Sequence, residues 1–505
     1  MAGDAVLAGE ALYDAASMRA ADAAAVAAGV PGTQLMAAAG DAVAHVVRVR
    51  YPVARRVICV CGGGANGGDG LVAARRLRSL GVDASCLLVA TRPYEGDALE
   101  ACEQAMAAGV PVSRVGAVGD GLRGADVVVD ALLGTGRSGE PRGAVAEAIR
   151  AIAAAGARVV AVDVPSGVDA STGEVSAVAV SADVTVTFHA PKIGHVVLPG
   201  RSHAGVLVVV PIGIPPGTAA AAPARLAGAA AIAALAALAA RPAFGSKYDA
   251  GSVLAVGGSR GMTGAVVLCA RAALRAGAGL VVAAVPASEQ PVVAGLVVEP
   301  MTLACADADG GLAPAAAEEL LRRAARSSAV AVGPGCGRAP GTAGFVREIV
   351  QAVAAPLVLD ADGLHAIGTD LGLLAGRTAP TVITPHAGEA ARLLGVDSDH
   401  VAAHRLHAAR TLAERTGAVC VLKGADTIIV APDGRLAVRD GDDARLATAG
   451  TGDVLCGTIT GLLARGAVPF EAAAAGAAAH LAAARAVPAG RALVASDLID
   501  RLPLG

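Results

Sequence analysis

The feature that most constrains this chain is a recurring pattern: short, unbroken apolar runs separated by Ala-rich stretches of helical length. Runs at 56–60, 127–129, 159–162, 253–256, 330–332, 357–359 and 420–422 are each followed closely by Gly, Asp or Pro. A run of three to five apolar residues without alternation reads as a strand covered on both faces, as in the parallel sheets of βαβ units. The pattern therefore predicts α/β architecture, with three layers in each half of the chain. At 505 residues the chain is long enough for more than one domain, at roughly 100–200 residues each. Pro211-Ile212-Gly213-Ile214-Pro215-Pro216-Gly217 and the Ala/Pro run after it mark a seam, which predicts domains at 1–217 and 226–505, the second opening with a helix near Leu226.

Composition removes several function classes. The net charge is −3, with no basic block and no Trp, which argues against a nucleic-acid groove. The most apolar stretch, 226–240, is shorter than the roughly 20 residues of a membrane span. No basic region followed by an apolar one opens the chain, so no signal peptide is expected. The nine cysteines are scattered, several in strand-like runs, which reads as buried reduced thiols and a cytoplasmic protein.

In the first half, strand 56–60 runs into Gly62-Gly63-Gly64-Ala65-Asn66-Gly67-Gly68-Asp69-Gly70, with a helix expected from Leu71. Glycines at such a turn let backbone amides approach a phosphate. Asn66 and Asp69 add an amide and a carboxylate. A second strand ends at Asp130, before Gly134-Thr135-Gly136-Arg137-Ser138-Gly139-Glu140, and a third at Asp163-Val164-Pro165-Ser166. A single Asp there reads equally well as a helix cap; three polar strand ends in one crevice read as a site. Asn66, Asp130 and Ser166 offer oxygen ligands to a hard cation, and with one formal charge among them they suit a monovalent ion. Lys192, in Pro191-Lys192-Ile193-Gly194-His195, is either a surface lysine or, if withdrawn from water, a group usable in proton transfer.

These motifs, in this order, resemble the NAD(P)H-hydrate epimerase family over about residues 10–217. The resemblance implies a Rossmann-like fold, a potassium ion at Asn66, Asp130 and Ser166, and substrate contacts from residues 65–69, 134–140 and Asp163. It makes Asp163 and Lys192 the acid/base pair. Ala65 departs from the family, which usually has a second Asn there.

In the second half, Gly257-Gly258-Ser259, Met262-Thr263-Gly264-Ala265, Gly333-Pro334-Gly335-Cys336-Gly337, Asp360-Ala361-Asp362-Gly363, Thr384-Pro385-His386-Ala387-Gly388-Glu389, Lys423-Gly424-Ala425-Asp426-Thr427 and Gly450-Thr451-Gly452-Asp453 follow in turn. Gly450-Thr451-Gly452 before a helix is a nest of backbone amides for an anion. Asp453 beside that anion is unfavourable unless it has chemistry to do, and its natural task is to take the proton of an attacking hydroxyl. Lys423 can meet a phosphate as a point charge. Asp360 and Asp362 could assist Mg²⁺, but the same four residues also make an ordinary turn.

This set resembles the ribokinase-like ADP-dependent NAD(P)H-hydrate dehydratases over about residues 226–503. The resemblance implies that Ala265, Gly335, His386 and Asp453 contact the hydrated nucleotide, that residues 423–427 and Gly452 hold ADP, and that Mg²⁺ takes part. Ser246 stands where the family often has His. The partners implied are hydrated NADH or NADPH, ADP and further copies of the chain, with no nucleic acid and no membrane. The rival reading is a ribokinase-fold small-molecule kinase fused to a Rossmann-like dimerisation module. The intact Asn66, Asp130, Asp163 and Lys192 argue against an inert module.

Overall fold

The computed structural model describes residues 11–89, 93–114, 118–136, 139–217, 222–239, 246–439 and 441–503. The chain forms two compact units that divide between Arg225 and Leu226.

The first unit is built on a seven-stranded, all-parallel sheet. Arg56–Cys61 lies inside it, with Asp83–Leu88 and then Val112–Arg114 on one side. On the other side follow Val127–Ala131, Arg158–Val162, Val184–Phe188 and Val206–Val210. The chain thus winds outward one way and then restarts beside its first strand, which opens a crevice between the ends of Arg56–Cys61 and Val127–Ala131. Both faces of the sheet are covered. Val57, Cys59 and Cys61 belong to one apolar cluster, while Ile58 and Val60 belong to another.

The second unit repeats this logic. Ser252–Val256 is flanked on one side by Leu280–Pro286 and Met301–Cys305. On the other side come Ala329–Val332, Leu357–Leu359, Thr381–Ile383 and Val419–Leu422, all parallel. Ile428–Val430 and Leu436–Arg439 extend this side antiparallel. Helix Thr451–Ala464 lies so close to helix Thr263–Arg275 that a Cβ on Gly457 would meet the Cys269 carbonyl at 2.1 Å.

The expected strands appear, some a residue or two longer at an end. Two helix starts differ. The helix expected from Leu71 begins at Ala65 and runs to Ser79, so the Gly-rich segment is its first turns. The helix expected near Leu226 is preceded by a strand, Ala224–Ala227, and spans Ala229–Ala239. All nine cysteines are buried and none forms a disulfide. Among the described residues no helix is long and apolar enough to cross a membrane.

Candidate functional sites

In the first unit a cavity of about 950 Å³ opens at the crevice. Ala65, Asn66 and Asp69 line it from the first turns of the Ala65–Ser79 helix, and Gly134, Thr135 and Gly136 from the loop after Val127–Ala131. Gly67 and Gly68 do not reach it: a Cβ on Gly67 would lie 1.9 Å from the Gly62 carbonyl, and one on Gly68 2.6 Å from Met36 Sδ. These two are glycines because the helix packs there. Glu140 also points elsewhere, accepting the Ala177 N–H at 3.2 Å, and Gly139 is not in the wall. Arg137 and Ser138 lie outside the described residues.

Asp163 follows Arg158–Val162 in a left-handed conformation (φ 65°), which turns its carboxyl toward the crevice. Lys192 Nζ donates to Asp163 Oδ1 at 2.7 Å, to Thr187 Oγ1 at 2.8 Å and to the Phe188 carbonyl at 2.9 Å. Its Nζ is therefore fully hydrogen-bonded and without solvent exposure. Lys192, expected as the acid/base partner of Asp163, thus stands in the cavity wall against Asp163 and holds that carboxyl. Burial would raise Asp163, but the charge and hydrogen bond of Lys192 and the Thr187 hydroxyl keep it below the usual carboxylate value.

His195 completes the support. The Lys192 N–H donates to His195 Nδ1 (3.0 Å), so the ring proton sits on Nε2, which donates to the Asp163 carbonyl (2.8 Å). Burial, aided by the charge of Lys192, lowers this imidazole to about 4, so it stays neutral. Sequence reasoning quoted His195 within a motif but gave it no role.

Asp130 and Ser166 come together as expected. Ser166 donates to Asp130 through its hydroxyl (2.7 Å) and its N–H (2.8 Å), and Leu133 N–H donates to Ser166 Oγ (3.0 Å). Asn66 packs against Gly134, one residue further on, where a Cβ would come within 2.9 Å of its Oδ1. Its Nδ2 is buried without a partner. The two ends of an amide are assigned from their surroundings, so an orphaned Nδ2 marks a place where the oxygen could equally stand. Burial raises the Asp130 carboxyl to about 6 against the hydrogen bonds from Ser166 and Leu132. A buried carboxylate, a hydroxyl and an unsatisfied amide suit a low-charge cation.

In the second unit the predicted loops follow neighbouring parallel strands, so they share one sheet edge. The turn after Ser252–Val256 locks to the turn after Ala329–Val332: Ser259 N–H donates to the Gly335 carbonyl at 2.7 Å. A Cβ on Gly335 (φ 64°) would lie 3.2 Å from the Ala265 Cβ, which places those two expected contacts side by side. Asp453 occupies the first turn of Thr451–Ala464, behind Gly450 in the left-handed region (φ 86°). Lys423 Nζ bonds Asp360 Oδ1 at 2.8 Å and lies 3.7 Å from Glu389. A Cβ on Gly452 would be 3.5 Å from Lys423 Nζ and 3.9 Å from Asp360 Oδ2. Lys423, Asp360, Gly452 and Asp453 therefore converge. Burial, then the charge of Asp360, raises Asp453 to about 7 against the pull of Lys423.

Other expected contacts are occupied. His386 Nδ1 caps helix Ala387–Leu394 by accepting the Gly388 and Glu389 N–H groups, and its Nε2 lies 3.5 Å from Glu389 Oε1. The Asp426 carboxylate is fully buried against Arg405 (2.7 Å), and Arg439 donates to the Gly424 and Ala425 carbonyls. Thr427 Oγ1 donates to the Gly424 carbonyl. The 423–427 loop is thus clamped by Arg405 and Arg439, neither of which carries a local sequence signal. Asp362 pairs with Arg338 at 2.8 Å. Ser246 closes a turn on Asp249.

A family model described as NAD(P)H-hydrate dehydratase matches residues 253–503, and one described as the YjeF-related protein N-terminus matches 32–194. The bifunctional NAD(P)H-hydrate repair enzyme Nnr of Moorella thermoacetica is 41% identical over 489 residues, covering 94% of this chain and 92% of that one. The enzyme of the same name from Salinibacter ruber is 41% identical over 505 residues, with the same coverages. Among solved structures, the Bacillus subtilis ADP/ATP-dependent NAD(P)H-hydrate dehydratase co-crystallized with ATP/Mg²⁺ is 29% identical, with a TM-score of 0.45, covering 54% of this chain and 95% of that one. With both units matched and relatives that similar end to end, the chain belongs to the family of bifunctional NAD(P)H-hydrate repair enzymes.

Proposed function

We propose that this chain restores hydrated NADH and NADPH in two steps, one in each unit. The first unit interconverts the R and S forms at the hydroxyl-bearing carbon beside the ring nitrogen. The second converts the S form to NAD(P)H, using ADP and releasing AMP and phosphate. The observation that carries the reading is Asp453: a carboxyl raised to about 7, in the first turn of a helix behind a left-handed glycine, with Lys423 converging on the same turn. Such a group can take the hydroxyl proton while that oxygen attacks the terminal phosphoryl group of ADP. The hydroxyl, now a phosphate ester, is a good leaving group; the nitrogen lone pair expels it, and loss of a ring proton restores the dihydropyridine. A small-molecule kinase would need Asp453 but would have no use for the built site around Asp163.

Residues 423–427 and Gly452 would hold the adenine nucleotide, largely through backbone because the Asp426 side chain is committed. Ala265, Gly335 and His386 Nε2 would contact the hydrated ring. Mg²⁺ keeps most of its waters and binds through few carboxylates and the phosphates; Asp360 Oδ2, beside Gly452, suits such a water. Potassium would bind at Asn66, Asp130 and Ser166 and order the loops around the substrate. The chain would act in the cytoplasm as a homo-oligomer. The test supplies separated epimers with ADP or ATP and follows NADH absorbance. The reading requires the S form to recover with nucleotide, and the R form to recover more slowly and faster in potassium than in its absence. No recovery of either form would overturn it.

A further inference from the structure

Two carboxyls in the epimerase cavity are left without work. Asp69 is 8% exposed, lines the cavity, and has no hydrogen-bond or ion-pair partner among the described residues. Asp22 lines the same cavity, half-buried and likewise unpartnered. It comes from helix Ala15–Ala27, upstream of the segment that the N-terminal family model matches. That helix is tied to the catalytic wall. Tyr13 N–H donates to the Pro191 carbonyl and Ile193 N–H to the Tyr13 carbonyl, on either side of Lys192, while Asp14 and Ser17 cap the helix start. Burying a carboxyl without a partner is costly, so two of them facing one cavity call for a function.

We propose that Asp69 is the general acid of epimerisation, opposite Asp163 as base, and that Asp22 carries the proton from Asp163 back to Asp69 between turnovers. This rests on the epimerase reading above. Asp69 gives its proton to the substrate hydroxyl. The C–O bond breaks, water leaves with the electron pair, and the nitrogen lone pair forms a C=N bond. A water then adds to the other face, the C=N electrons return to nitrogen, and the released proton goes to Asp163. One proton has moved from Asp69 to Asp163, and one solvent oxygen has replaced the original.

The electrostatics follow the same order. Burial, with the charges of Asp163 and Asp22, pushes Asp69 well above the usual carboxylate value. Burial raises Asp22 to about 6, against Lys192 and with Asp163 adding to it. Asp163 is held low. Carboxyls of one site whose environments drive their proton affinities apart are the signature of acid and base roles. The exposed Asp97 and Arg142 also line the cavity, and neutral His195 stands behind Asp163.

The experiment uses the full chain without ADP, so that only epimerisation runs, with separated R epimer in ¹⁸O-water. Wild type must first interconvert the epimers faster than buffer alone; if it does not, the epimerase reading fails and not this assignment. Given that, Asp69→Asn should lower kcat by about 10²–10⁴ with KM little changed. Asp22→Asn should lower kcat less, and small carboxylic acids such as acetate should restore it, as should Asp22→Glu in part. Each epimerised molecule should carry one solvent oxygen. An unshifted calorimetric transition of the first unit reports that each variant is folded. Unchanged kcat in both variants, a loss confined to KM, or product without ¹⁸O would overturn the proposal.

Discussion

The two units share the order of their parallel strands and place their chemistry in the loops at one edge of the sheet, yet they treat the acidic residue there in opposite ways. In the first unit Lys192 lies against Asp163 at 2.7 Å and keeps it ionised. In the second, the equivalent charge on Lys423 is drawn off by Asp360 at 2.8 Å and Glu389 at 3.7 Å, and Asp453 is left near 7. One topology therefore supports a carboxylate that rests in its charged form and another whose resting state lies near the midpoint of gaining and losing a proton. What differs is how many other acids compete for the lysine. Fold alone would not have told these sites apart.

The comparison breaks most visibly at Asp453. Asp453→Asn keeps the size and the helix-start position but cannot accept a proton, so dehydration of the S epimer should fall by about 10²–10⁴ while epimerisation continues. Single-turnover recovery of NADH checks this; near-normal turnover would remove Asp453 from the chemistry. Lys192→Met comes next. It strips a fully buried partner from Asp163, and breaking such a pair costs about 3–5 kcal/mol. Calorimetry should show the first unit unfolding earlier and the second unmoved; an unshifted transition would mean that Asp163 has other support.

The pH response sharpens the same contrast. A base raised to about 7 is ionised above that value and protonated below it, so kcat of dehydration should rise with pH, about tenfold between pH 6 and 8. The Asp163 carboxyl, held low, contributes no such limb across that range to the epimerase. A flat dehydratase profile would place the base elsewhere. The smallest effect belongs to His386→Asn, which retains a capping acceptor and loses only the half-exposed Nε2 beside Glu389. Stability should hold within about 0.5 kcal/mol. KM for the S epimer should rise severalfold if the ring contacts substrate, whereas unchanged kinetics would leave His386 as a cap.

Much of this was legible in the residues, and the gaps have physical causes. Strands such as Leu357–Leu359 and Arg158–Val162 announce themselves because burial on both faces demands continuous apolar residues. The start of the Ala65–Ser79 helix was hidden because glycine has poor helix propensity. Close packing overrides propensity there: a Cβ on Gly70 would lie 2.6 Å from Ala131 Cβ, and Gly67 and Gly68 are as crowded. The motif residues that meet at Asp163 and at Asp453 were found through their turns. Asp22, Arg405 and Arg439 were not, since each reaches its site across the fold from a segment with no motif. The saturation of Lys192 depends on Thr187 and a main-chain carbonyl, and no spacing rule reveals it.

The buried imidazole behind Asp163 offers a consequence of another kind. Both nitrogens of His195 are engaged by backbone groups, and the ring stays neutral down to about pH 4. Its Nε2 proton is sealed from solvent and should exchange slowly enough to give a separate downfield resonance in a proton spectrum. His480 of the second unit, whose buried Nε2 lies 2.9 Å from the Thr451 carbonyl, would give a line of its own, so the resonance lost in His195→Gln is the one that belongs to the first unit. It would move when a ligand shifts Asp163 and vanish when that unit opens, so a single resonance could follow occupancy and local unfolding of one catalytic half while the other turns over.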